Sequence, residues 1–166
     1  MIALTIADVK KFMQQLLISN TFDDFLIQEA SVTTYAHFHI DGLLHEDFFD
    51  SDKKESLQER EYLYWKEIKE YIYNFIKGKR TPLNFKFTFC LSPQQMSDFF
   101  KAEDFSLDTS FIRNLIFNLY FDGKNLTCTT ATSYKQFILD KSVDISWDIY
   151  TKNFFQKMQI AFIQVS

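Results

Sequence analysis

The stretch from Arg113 to Asp140 constrains the fold more than any other part of the chain. Leu115, Phe117, Leu119 and Phe121 alternate with Ile116, Asn118 and Tyr120, the period-2 pattern of a strand. Asp122-Gly123-Lys124-Asn125 follows, with Gly123 able to supply the positive φ of a tight hairpin turn. Leu126 to Thr132 is rich in threonine, which suits a pleated, half-buried surface. A hairpin with one apolar face is not stable alone; it needs more strands and a covering layer.

The rest of the chain offers both. Leu83, Phe85, Phe87, Phe89 and Leu91 repeat the alternation. Ser92-Pro93-Gln94-Gln95 then reads as a helix start, with Ser as N-cap, Pro in the first turn and Gln reaching back. Met96, Phe99 and Phe100 make that helix's apolar face. Near the N-terminus, Thr5-Ile6-Ala7-Asp8 has capping-box form, and Val9, Phe12, Met13, Leu16 and Leu17 predict a helix over about residues 6–18. Phe25–Gln28 and Val32–Ile40 predict strands, Asp41-Gly42 a turn, and 45–56 a charged connector suited to a mobile loop. Leu57–Lys77 predicts the longest helix. Its stripe of Leu57, Tyr64, Trp65, Ile68, Tyr71, Ile72, Phe75 and Ile76 is too broad for solvent and should pack on the sheet or near Trp147. Gly78 and Pro82 end it; a helix over about 143–157 follows, and 160–165 reads as a closing strand or as a continuation of that helix.

Two blocks recur. Leu4-Thr5-Ile6-Ala7-Asp8-Val9 aligns with Leu91-Ser92-Pro93-Gln94-Gln95-Met96, and Phe12-Met13 with Phe99-Phe100. Thr33-Thr34-Tyr35-Ala36-His37-Phe38-His39-Ile40-Asp41 aligns with Thr132-Ser133-Tyr134-Lys135-Gln136-Phe137-Ile138-Leu139-Asp140. The expected architecture is a single α+β domain over 1–166. Two βαββ(β) units, about 1–42 and 83–140, form antiparallel sheets with their helices on one side. A loop and helix over 45–80 are inserted between them, and a C-terminal helix and strand cover 141–166.

The strand-to-helix element LNFKFTFCLSPQQMSDFF and the hairpin LYFDGKNLTCTTATS resemble elements of DNA sliding clamps, whose domains pair two βαβββ units. The resemblance covers roughly 1–42 and 83–140, and it implies a DNA-clamp-like fold and a non-catalytic binding or interaction role. The inserted helix and the C-terminal helix depart from that plan. The blocks IKGKRTPLNFKF and LTCTTATS also resemble a bacterial family of small proteins carrying a domain of unknown function, which implies no activity.

Composition narrows function further. Three glycines leave no room for a Gly-rich phosphate loop, and a formal charge of −4 gives no global pull toward nucleic acid. No apolar run is long enough to span a bilayer, no secretory leader opens the chain, and Cys90 and Cys128 fall within predicted strands. These features predict a reduced, cytoplasmic protein without a membrane partner. The basic clusters are Lys10 and Lys11 on the first helix and Lys77, Lys79 and Arg80 after the inserted one. They are candidate phosphate or nucleic-acid contacts, too few for more than weak duplex binding. The expected partner is another protein or a second copy. No catalytic motif occurs, so no enzyme activity and no cofactor are expected. The alternative is a metal-dependent or small-molecule enzyme: His37 and His39 share a strand face, and His45 and Glu46 follow a turn later.

Overall fold

A computed structural model describes residues 1–57 and 59–166. Strand β1 (Ala3–Ile6) leads into helix α1 (Val9–Leu17) and then the hairpin β2 (Leu26–Thr33) and β3 (His37–Asp41). A connector holding the one-turn helix α2 (Ser51–Lys54) and the short strand β4 (Leu63–Tyr64) precedes α3 (Trp65–Ile76). The second half runs β5 (Asn84–Cys90), α4 (Pro93–Ala102), β6 (Ile112–Phe121), β7 (Leu126–Tyr134), α5 (Ser142–Lys157) and β8 (Phe162–Gln164). The class is α+β. All eight strands join one antiparallel sheet in the order β3-β2-β5-β6-β7-β1-β8, with β4 beside β2. It is one continuous sheet.

Register explains why the core lies on one side. Val32 stands opposite Phe85, Phe87 opposite Leu119, Phe89 opposite Phe117, and Leu4 opposite Cys128. Side chains paired across a ladder share a face, so one apolar face runs across the sheet. Those residues form one buried cluster with Phe12 and Leu16 of α1, Trp65 and Ile72 of α3, Phe99 of α4, and Trp147 and Phe155 of α5. The four long helices therefore cover the same face. Each fully buried Phe contributes about 1.5–3 kcal/mol relative to exposure.

Several boundaries differ from the sequence reading, each for a local reason. Thr5 stays in the β1 ladder opposite Thr127 and Ile163, so Asp8 caps α1, accepting from the Lys11 amide at 3.0 Å. Helix α3 begins at Trp65 because Leu63 and Tyr64 pair with Ile27 and Leu26 of β2. The Tyr64 amide donates to Glu67 Oε1 at 2.9 Å, which closes the helix start. Leu57 fits the helical stripe but is buried at the end of a separate 3-10 turn, Glu55–Leu57. Gln58, inside the span predicted as helix, lies outside the described residues. The longest helix is α5, with 16 residues.

The connector also has a buried side. Leu26 and Cys90 pair in register on the sheet face away from the main core, yet both are buried, as is Leu57. Tyr62 bridges to Leu43, so the connector reaches this end of the outer face.

A β-α-β-β order occurs twice, as β1-α1-β2-β3 and β5-α4-β6-β7. The two runs are joined differently. β5 and β6 are antiparallel neighbours, whereas β1 and β2 point the same way with three strands between them. The predicted strand Val32–Ile40 is broken by a turn, with the Thr34 amide bonded to the Ala36 carbonyl at 2.9 Å. The matching block after Tyr134 forms no strand. The reason is edge availability: β2 has a free side for β3, but β7 is bordered by β6 and β1.

Candidate functional site

The outer face of the sheet carries the histidine group. His37 Nδ1 lies 2.8 Å from Thr33 Oγ1, and His39 Nε2 lies 3.6 Å from Glu29, which Lys86 also approaches at 3.7 Å. Each imidazole thus has its own cross-strand neighbour. His45 is exposed beyond Gly42, at the start of the 3-10 turn Glu46–Phe48. Among the described residues, no three His, Cys, Asp or Glu side chains are placed to hold a metal ion. The structure keeps His37 and His39 on one face but does not assemble the three histidines into a ligand set.

The basic residues form a better-defined site. A cavity of about 480 Å³ lies between the β2–β3 turn and the α3–β5 connection, walled by Thr34, Tyr35, Asn74, Lys77, Lys79 and Arg80 among others. Among the described residues, no carboxylate lines it. Lys77, Lys79 and Arg80 are exposed, and none has an ion-pair partner among the described residues. Like charges left unpaired this close together raise the local positive potential and favour an anion.

Local geometry sets these cations where they are. α3 ends with the Lys77 amide bonded to the Tyr73 carbonyl at 2.8 Å, and Gly78, at φ +132°, turns the chain away. The Leu83 amide then bonds to the Thr33 carbonyl at 2.9 Å, tying the connection to the end of β2. Across from the cations stands Tyr35, 94% exposed on the turn. Its ring meets Phe38 edge-on, with centroids 5.8 Å apart, and Phe38 stacks on Phe75 at 4.3 Å. Thr34 Oγ1 is buried and has no hydrogen-bond partner.

Lys10 and Lys11 do not join this cavity. They lie in the first turn of α1, after β1, which is four strand spacings from β2, or about 19 Å. Lys11 Nζ is engaged by the Gln159 carbonyl at 3.1 Å. The β6–β7 turn approaches the α3–β5 connection: a Cβ on Gly123 would lie 2.9 Å from the Leu83 carbonyl oxygen. Sequence reasoning overlooked Thr34 and Tyr35, which reach the cavity only by tertiary folding.

The nucleophile candidates are held neutral. Burial pushes the Cys90 thiol up to about 12 and also raises Cys128. Burial and then a 2.9 Å bond to Asp144 raise Tyr134. Among the described residues, no helix is long and apolar enough to cross a membrane. A family model described as a family of unknown function (DUF5721) matches residues 15–163. No curated protein and no solved structure matches.

Proposed function

The chain belongs to that family of unknown function, a membership that assigns no activity, and from this premise we propose a non-catalytic binding module for an anionic partner. The observation that carries the reading is the cavity beside α3, where three unpaired cations gather and no carboxylate opposes them. The neutral, buried thiols and the separately engaged imidazoles support a binding role over a chemical one. Two β-α-β-β runs with their helices on one face support a clamp-like plan. Encircling DNA is not part of this reading. The second lysine pair stands about 19 Å away along the sheet, and three phosphate contacts give a salt slope of only about −3.

The test is retention on a heparin column at low salt. A protein of formal charge −4 should flow through unless its cations are segregated. Retention is expected, with release by salt and loss in Lys79→Glu/Arg80→Glu. The connector variant Lys53→Glu/Lys54→Glu should still be retained. Flow-through of the unaltered protein, or equal loss in both variants, would overturn the reading.

A further inference from the structure

We infer that the cavity's ligand is a compact nucleotide, a nucleoside mono- or diphosphate whose base stacks on Tyr35 while its phosphates sit among Lys77, Lys79 and Arg80. This inference rests on the anion-binding reading and adds the ligand class. Three observations carry it. First, the cavity's volume of about 480 Å³ falls within the range of small-molecule sites. It is large for inorganic phosphate and small for a duplex.

Second, the wall opposite the cations is aromatic. Tyr35 is 94% exposed, yet its ring is braced edge-on against Phe38, which is itself stacked on Phe75 of α3. A ring held out to solvent beside an aromatic pair is a surface for stacking, and any base has a π-face to offer it.

Third, the cations are local. Lys77, Lys79 and Arg80 lie within four residues, but Lys10 and Lys11 are four strands away. Such a cluster neutralises two adjacent phosphates and cannot follow a long backbone. Among the described residues no carboxylate lines the wall, so no anionic ligand is there for a divalent ion and binding should not need one.

The experiment is titration calorimetry at low salt on the full chain, with ADP, AMP, inorganic pyrophosphate and a 12-nucleotide single strand as probes. ADP should bind about 5- to 140-fold more tightly than pyrophosphate, the factor that stacking contributes. EDTA should not change it. Tyr35→Ala should bring ADP down to the pyrophosphate level and leave pyrophosphate unchanged. Tyr35 is exposed, so folding is preserved, and circular dichroism verifies it. Lys79→Glu/Arg80→Glu should abolish both.

Equal affinities for ADP and pyrophosphate, or an unchanged ADP affinity in Tyr35→Ala, would overturn the nucleotide inference and leave the anion reading standing. Binding of neither would overturn both. A single strand that binds far more tightly than ADP, and loses that advantage in Lys10→Glu/Lys11→Glu, would replace the compact ligand with an extended one.

Discussion

The indole nitrogen of Trp65 donates a 2.7 Å hydrogen bond to the backbone carbonyl of Leu16, fastening the start of α3 to the end of α1. The same ring packs against Phe87 and Phe89, with centroids 5.4 and 5.0 Å away. One side chain therefore joins two helices to the sheet. Trp65→Ala should cost about 3–5 kcal/mol in urea unfolding. Trp65→Phe keeps most of the packing but leaves the carbonyl unpaired, so it should cost about 1–3 kcal/mol. A loss below about 1 kcal/mol for the alanine variant would remove Trp65 from the core.

Gly42 tests a close approach of two backbones. A Cβ at this position would lie 1.8 Å from the Ile27 carbonyl oxygen, at the bulge where the β2–β5 register shifts between Ile27 and Glu29. Gly42 also donates to Gln28 and accepts from Leu63, so it links β2 to the connector. Neither bond survives if the chain moves away. Gly42→Ala should cost about 3 kcal/mol or more, the upper end for overpacking. Hydrogen exchange should quicken first at the Gly42 and Leu63 amides. Unchanged exchange at both would mean that the two backbones are not in contact.

The strands and capped helices with local signals could be read from sequence. The Ser92–Gln95 box forms as spelled, with the Gln95 amide bonded to Ser92 Oγ and the Ser92 amide to Gln95 Oε1. The alternation in β5 and β6 marks the buried face correctly from Phe85 to Phe121. What escaped was decided by distant partners. Leu57 and Tyr64 sit on the helical stripe of α3, but pairing with β2 holds Tyr64 in a strand. At the site, Lys77, Lys79 and Arg80 were visible as neighbours in sequence. Tyr35 joins them only because β2 lies beside β5.

The buried thiols set an alkaline limit. Cys90 titrates near 12 in the fold against 9.0 when free, and Cys128 shifts the same way. A folded value above the unfolded one means that the contribution is complete below pH 9.0 and is lost as pH rises toward the folded value. Stability should therefore fall steadily above about pH 9. Tyr134, also raised, adds to the fall above its ordinary value of 10.0. The double variant Cys90→Ala/Cys128→Ala should lose less stability between pH 8 and 10 than the unaltered chain, measured by urea midpoints. Equal losses would mean that the thiols are solvated in the fold.

Phe38 and Phe137 occupy equivalent places in the two similar blocks, so a strictly repeated fold would bury them alike. The sheet does not allow it. Phe38 lies in β3, paired with Val32 of β2, and stacks on Phe75 with rings only 9° from parallel. Phe137 follows β7, which already has strands on both sides, and it remains 85% exposed. Phe38→Ala should cost about 2 kcal/mol, combining lost burial with a stacked pair. Phe137→Ala should stay within about 0.5 kcal/mol, as for an exposed side chain. Phe38→Ala should also loosen the bracing of Tyr35, which a broader tyrosine emission lifetime distribution would register. Equal costs for the two alanine variants would mean that residues 132–140 are held as the first block is, and that β7 has a partner strand other than β6 and β1.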